Sequence, residues 1–179
     1  MPRIFASLAI ATLTLFALTA AFALLNTGLT PDRHILLGIG TLLLCCFNQV
    51  VGFTYLTVTG KVIAQAAHLA NLDPACLASA RQYKRTFTRL LAVAIVSLVF
   101  ASATGGAAWR SRDVLAFHLL AAMIAALIHV WVYGWQIQVL RRNADLVERT
   151  VKAYSLRRPQ RISGDLPPPT NADSKAPVP

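Results

Sequence analysis

Four long apolar stretches constrain this chain more than any short motif in it. They run from Ile4 to Leu25, from His34 to Thr59, from Leu90 to Ala108 and from Val114 to Leu140. Each is near or above the roughly 20 residues that cross about 30 Å of hydrocarbon as an α-helix. Because the chain is also 56% hydrophobic and only 13% charged, we expect an integral membrane protein with four helical spans.

The first stretch has two interpretations. Ala21-Phe22-Ala23 fits the small-x-small pattern of a signal-peptide cleavage site. The apolar run before it is long for a signal peptide, so we expect a retained first helix. Cleavage would leave three spans and the same orientation of the rest.

The positions of the basic residues predict the orientation of the helices. Of the 17 lysines and arginines, 14 lie at Arg3, between Lys61 and Arg89, or from Arg141 onward. Cytoplasmic segments are rich in basic residues, so we expect a protein of the inner (cell) membrane with both termini and the middle connection inside. The net charge of +10 then needs no nucleic-acid partner, and no recognition module accompanies it.

Three helices are predicted to continue beyond the bilayer. The second has no breaker before about Asn71, the third begins at Asp73-Pro74 and reaches Gly105-Gly106, and the fourth stays amphipathic to about Tyr154. The projecting parts should pack on one another, on a partner or on the membrane surface. Residues 1–156 thus form an all-α, N-in and C-in, four-helix transmembrane bundle, and residues 157–179 a disordered, proline-rich cytoplasmic tail.

One face of the second helix carries small and polar side chains. In steps of three and four it reads His34, Gly38, Thr41, Cys45, Asn48, Gly52, Tyr55 and Thr59. Lipid offers these groups no hydrogen bonds, so the face must point to other helices or to a ligand.

The fourth helix carries a matching face, made of His118, Ala122, Ala125, His129, Val132 and Gln136. In an up-down-up-down bundle the second and fourth helices are parallel diagonal partners, so both faces point inward. Counted from the outer surface, His118 lies level with Gly38 and Thr41, and His129 lies level with Asn48. Gln136 is expected at the depth of Tyr55.

The histidines make a b-type haem the sharpest ligand hypothesis. His34 and His118 both lie near the outer surface and are the best pair of axial metal ligands, while the small residues Gly38, Gly40 and Ala122 leave room for the porphyrin. The arrangement is similar to b-type cytochromes in architecture alone, since these have two matched pairs and the partner position of His129 here is Asn48.

Three other interpretations of the polar faces remain open. A histidine with Cys45 is suited to a soft metal such as copper or zinc, although Cys46 points about 100° away. Tyr55 and His129 are candidates for a quinone pocket. The structural interpretation is that interior polar residues hydrogen-bond across the bundle and lock its helices in register; its members are His118, His129, Asn48, Tyr55 and Gln136.

The spans contain no aspartate or glutamate and no visibly broken helix, which disfavours transport and acid-base catalysis. We therefore expect a non-enzymatic accessory or structural subunit of a larger membrane complex, whose partners are lipid and other membrane subunits. The alternative is a b-type haem protein that transfers electrons, with His34 and His118 as axial ligands.

Overall fold

The computed structural model describes residues 1–24, 31–107 and 112–164. They form four α-helices: α1 Pro2–Leu24, α2 Pro31–Ala70, α3 Ala75–Ala107 and α4 Arg112–Gly164. This part of the chain contains no strand. Each helix includes a segment long and apolar enough to cross a membrane, which confirms the predicted all-α class and the four candidate spans.

The connection between α2 and α3 ends one helix and starts the next within four residues. Asn71 adopts a left-handed conformation with φ of 50°, and the Leu72 amide donates to the Ala67 carbonyl at 3.0 Å, as in a Schellman cap. The Asp73 carboxylate then accepts the Ala75 amide at 2.8 Å. The predicted start at Asp73-Pro74 is confirmed, with aspartate as the N-cap.

One helix continues beyond its predicted end and another keeps to it. α3 includes Gly105 and Gly106 and reaches Ala107, close to the end of the predicted stretch at Ala108. α4 continues ten residues past Tyr154 to Gly164, and this part of the helix includes Pro159. The helix therefore includes residues 157–164 of the predicted tail, and residues 165–179 lie outside the described part of the chain.

The helices form a bundle in which α2 and α4 are the close diagonal pair. Each helix packs on its neighbours in the order α1, α2, α3, α4, and α2 also contacts α4. Within the described residues, the α1 and α3 backbones do not approach each other in this way. We call the end at which α2 and α4 begin the upper end of the bundle, and the opposite end the lower end.

The lower end contains the projecting parts of α2, α3 and α4, which pack on one another. Side chains from all three helices are buried there, namely Ile63, Ala66, Ala67, Ala80, Phe87 and Thr150. The sequence left open whether these parts pack together, on a partner or on a membrane surface. The burial of these side chains favours packing of the projecting parts on one another, although apolar residues such as Val151 remain exposed.

Several polar side chains lie inside the bundle beside its apolar core, and many large apolar side chains lie on its outer surface. The buried polar residues are Thr12, Thr41, Asn48, Gln49, His129, Gln136, Asn143 and Thr150. Among the outward residues, Leu36 and Leu127 are each 70% exposed. This distribution suits a bundle surrounded by hydrocarbon, in which polar groups find partners only in the interior.

Candidate functional site

The polar faces of α2 and α4 meet in a constant register. Cys45 contacts His129, and Thr59 accepts a hydrogen bond from Asn143 at 2.9 Å; both pairs are 84 positions apart. The rings of His34 and His118 meet at the same separation in sequence. The two helices therefore run parallel with their polar faces together, as the spacing predicted.

The depth of this register differs from the prediction by about one helical turn. His129 was expected level with Asn48, and it lies against Cys45. His118 was expected level with Gly38 and Thr41, and it lies against His34. The α2 residue that each of these histidines meets lies three or more positions nearer the upper end than the count from the helix starts predicts. Such a count cannot show how far one helix slides along another, because side-chain contacts determine that distance.

The upper site consists of His34, His118 and the cavity between them. Their ring centres are 6.5 Å apart and the ring planes are nearly perpendicular, at 86°. The two imidazoles lie on the wall of a cavity of about 580 Å³. All four helices line it, and its wall includes Phe16, Gly38, Thr41, Ala101, Gly105 and Ala122.

The α3 backbone orients the ring of His118. Its Nδ1 lies 3.1 Å from the Ala101 carbonyl oxygen and 3.3 Å from the Thr104 hydroxyl. Because a carbonyl oxygen only accepts, Nδ1 carries the proton in this contact, which leaves Nε2 of the neutral ring with a lone pair. Metal-ligating histidines commonly have this arrangement, in which the second nitrogen donates to a backbone carbonyl.

Gly105 makes that position of the His118 ring possible. A Cβ atom on residue 105 would lie 2.8 Å from the His118 Cε1 atom, whereas one on Gly106 would meet nothing within 4 Å. The predicted small residues contribute unequally to the cavity: Gly38 and Ala122 line it, but Gly40 faces Leu15 of α1.

A second polar cluster, the central site, lies about three turns further along α2. The Cys45 sulfur is 3.1 Å from His129 Nε2, and the Tyr133 hydroxyl donates to the same sulfur at 3.4 Å. His129 Nδ1 is 2.8 Å from the Ala125 carbonyl oxygen, so its proton is again held there and Nε2 faces the thiol. Cys45 and His129 are both 0% exposed.

Asn48 is the last residue of the central site, and neither of its polar side-chain atoms has a hydrogen-bond partner. It is 0% exposed, and neither its amide oxygen nor its amide nitrogen makes a hydrogen bond in the structure. The side chain adjoins the Tyr133 hydroxyl, outside good hydrogen-bond geometry. An unpaired buried amide costs about 1–3 kcal/mol, so Asn48 is suited to contact a polar or charged ligand in the central site.

Gln49 is an interior residue that the sequence analysis missed. Its amide exchanges two hydrogen bonds with Gln136, of 3.3 Å and 2.7 Å. Gln136 was expected level with Tyr55, and the pair corrects that depth. The signal for Gln49 was present, since it follows Cys45 by four residues and so shares its face.

Two predicted residues lie apart from both sites. Tyr55 is half-buried in the apolar core, and the ten residues that separate it from Cys45 correspond to about 15 Å along α2. The structure therefore does not bring Tyr55 and His129 together as a quinone pocket requires. His68 is exposed near the end of α2.

Comparisons of the chain with protein-family profiles, with curated proteins and with solved structures gave no match. The functional conclusions therefore rest on the geometry of the upper and central sites.

Proposed function

We propose that the chain is an integral membrane protein that holds a b-type haem between His34 and His118 and transfers electrons. The observation that carries the proposal is the meeting of these two imidazoles on the wall of a four-helix cavity. Two histidines as axial ligands leave the iron without an open position, which suits electron transfer.

The distance between the rings supports a shared metal. Metal–imidazole bonds are about 2.0–2.1 Å long, so a 6.5 Å separation of ring centres leaves room for one metal ion between them. The cavity of about 580 Å³ lies within the range of 300–1,000 Å³ that is usual for ligand pockets. Its wall is mainly apolar, as a porphyrin requires.

The hydrogen bonds of the two rings disfavour a purely structural role. A register lock is formed by direct bonds between helices, as Gln49 and Gln136 form one. His118 does bond directly to α3 through its Nδ1, but it meets His34 only through ring contact, and among the described residues the His34 ring has no hydrogen-bond partner. Its nitrogens are therefore available to a ligand in the cavity.

The protein's own residues prepare the site in three ways. The Ala101 carbonyl accepts the proton of His118 Nδ1, so Nε2 keeps the lone pair with which His118 would hold a haem. Gly105 has no Cβ atom and so leaves space for the His118 ring in this position. The apolar wall, with Phe16 and Ala122, excludes water from the porphyrin, which is one of the factors that set its reduction potential.

The orientation of the protein is part of the same proposal. We infer a cell-membrane protein with cytoplasmic termini, because the basic residues concentrate at Arg3, in the middle connection and after Arg141. The upper site then lies near the outer surface of the membrane.

Absorption spectroscopy of protein purified from haem-replete cells tests the proposal. We expect a Soret band and, after dithionite reduction, α and β bands. His34→Ala and His118→Ala each abolish them, and so does His118→Gln, which keeps a hydrogen-bonding group. The matched controls His68→Ala and His129→Ala retain the bands. A featureless spectrum from folded protein, or haem retained without both upper histidines, contradicts the proposal.

An accessory-subunit function is the second candidate, and one observation favours it. Large apolar side chains are exposed on the lower end of the bundle, where a cytoplasmic segment would meet water: Val62 at 39%, Val151 at 46% and Leu156 at 66%. A partner subunit would cover them. We expect extraction in mild detergent to yield a larger complex, and Val151→Glu with Leu156→Glu to release the chain from it.

A further inference from the structure

We propose that the central site binds one Cu(I) ion through the Cys45 sulfur and His129 Nε2. This site is separate from the haem proposal: it lies on other residues, about three helical turns away, and does not depend on a haem at the upper site. The sequence predicted only that Cys45 and a histidine suit a soft metal. The structure brings the two ligand atoms to 3.1 Å.

The ligand atoms are arranged as in a metal site. Bond lengths of about 2.3 Å to sulfur and about 2.0 Å to nitrogen put the two atoms about 3.0 Å apart at a right angle and about 3.7 Å apart in trigonal geometry. From the observed 3.1 Å, a trigonal site therefore requires the two atoms to move apart by about 0.6 Å. His129 Nδ1 is held by the Ala125 carbonyl at 2.8 Å, which leaves Nε2 as the ligand nitrogen.

Asn48 is an independent indication of a ligand site. It lies one turn from Cys45 on the same face of α2, is fully buried, and has no hydrogen bond to either amide atom. The Tyr133 hydroxyl, which donates to the Cys45 sulfur at 3.4 Å, stabilises the thiolate that a metal requires.

The net charge of the buried site favours Cu(I) over Zn²⁺. Binding replaces the thiol proton by the metal, so one proton leaves and a thiolate–Cu(I) pair stays neutral. A Zn²⁺ ion with the same ligands would leave a buried net charge, which is costly within hydrocarbon. The described residues also contain no group of three or more histidine, cysteine and acidic side chains, whereas structural zinc is almost always held by four ligands. Soft ligands in low number favour Cu(I).

The upper cavity provides an approach for the ion. Phe16 lines that cavity and also contacts the His129 ring, with ring centres 5.8 Å apart. Thr41, one turn before Cys45, lines the cavity as well. A movement of the Phe16 ring therefore opens the central site towards the cavity.

Anaerobic copper titration of the full chain in detergent micelles tests the proposal. The background is Cys46→Ser with Cys76→Ser, which leaves Cys45 as the only one of the three cysteines. With Cu(I) buffered by a chromogenic chelator, we expect one copper per chain by elemental analysis. Adding Cys45→Ser abolishes binding, and adding His129→Ala weakens it at least tenfold.

Two further readouts keep the result independent of folding defects in these variants. Copper should protect Cys45 of the background chain from alkylation, and X-ray absorption of the bound copper should show sulfur and nitrogen ligands. Because one proton is released, the apparent affinity should rise about tenfold per pH unit while the thiol is protonated. Absence of copper from folded background protein, or copper retained after Cys45→Ser, overturns the proposal.

The haem proposal fails or succeeds separately from this one. A His34→Ala and His118→Ala double variant lacks the haem ligands and keeps Cys45 and His129, so it should still bind one copper. Loss of copper binding from that variant, while its circular dichroism spectrum is unchanged, would contradict a separate central site.

Discussion

Individual polar residues inside this bundle are satisfied in two different ways. Buried threonines donate to the carbonyl four residues earlier in their own helix, as Thr12 does to Leu8 and Thr41 to Leu37. Glutamines instead pair between helices, as Gln49 does with Gln136. These bonds within one helix do not fix how far it slides along its neighbours, whereas the glutamine pair ties α2 to α4 at one depth.

The Gln49–Gln136 pair should be energetically coupled. Replacing either residue by leucine leaves its partner's amide unpaired and should cost about 1–3 kcal/mol, while the double replacement should cost less than the sum. A double-mutant cycle of reversible unfolding in micelles should give a coupling of about 0.6 kcal/mol, and up to about 1.7 kcal/mol.

An exposed glutamine on α4, Gln138, is the matched control for that cycle. Gln138→Leu should be nearly neutral alone and should show no coupling to Gln49→Leu. Strict additivity of the Gln49→Leu and Gln136→Leu effects would refute the role of the pair in setting the register.

At the level of helices, Gly52 of α2 lets three elements meet. The rings of Phe5 in α1 and Phe87 in α3 are 6.0 Å apart, and Phe5 is also 6.0 Å from Tyr133 in α4. A Cβ atom on Gly52 would overlap the Phe87 ring and lie 2.9 Å from Phe5 Cε2. The small residue is thus required where aromatic rings from the diagonal pair α1 and α3 cross the interior.

Gly52→Ala should therefore destabilise the bundle. We expect a loss of about 1–3 kcal/mol from overpacking, measured by unfolding in detergent. Gly60→Ala on the same helix meets nothing within 4 Å and should gain up to about 1 kcal/mol of helix propensity. Equal effects of the two substitutions would show that the ring contacts do not constrain position 52.

Helix content and the inward faces could be predicted from the sequence, but several contacts could not. The length and apolar character of each span are local properties, and so are the Asp73 cap and the spacing of His34, Cys45 and Asn48. Gly105 illustrates the limit, because local propensity does not show which of two adjacent glycines is needed for packing. Only the His118 ring, which would lie 2.8 Å from a Cβ atom on residue 105, distinguishes Gly105 from Gly106.

For the whole molecule, the distribution of positive charge predicts the direction of insertion. The lower end carries the α2–α3 connection, and Cys76 lies there, half-buried with its sulfur 3.0 Å from the Asp73 carbonyl oxygen. Cys45 is fully buried. A Cys46→Ser variant therefore leaves Cys76 as the accessible thiol.

In that variant, a thiol reagent that cannot cross membranes should label Cys76 only after the cells are opened. The matched control places a cysteine at the exposed position 32 by Asp32→Cys in a Cys46→Ser, Cys76→Ser background, and this thiol should be labelled in intact cells. Labelling of Cys76 in intact cells, or no labelling of the control there, would reverse the inferred topology.

The sequence by itself determined four long helices, their extension past the apolar spans, and polar faces on α2 and α4 that point inward. These follow from helical periodicity and from the cost of exposing polar groups to lipid. The tertiary structure decided the depth at which α4 lies along α2, and hence that His34 meets His118 and Cys45 meets His129. Sliding a helix by one turn changes neither its propensity nor its amphipathic pattern, so only contacts between helices determine these partners.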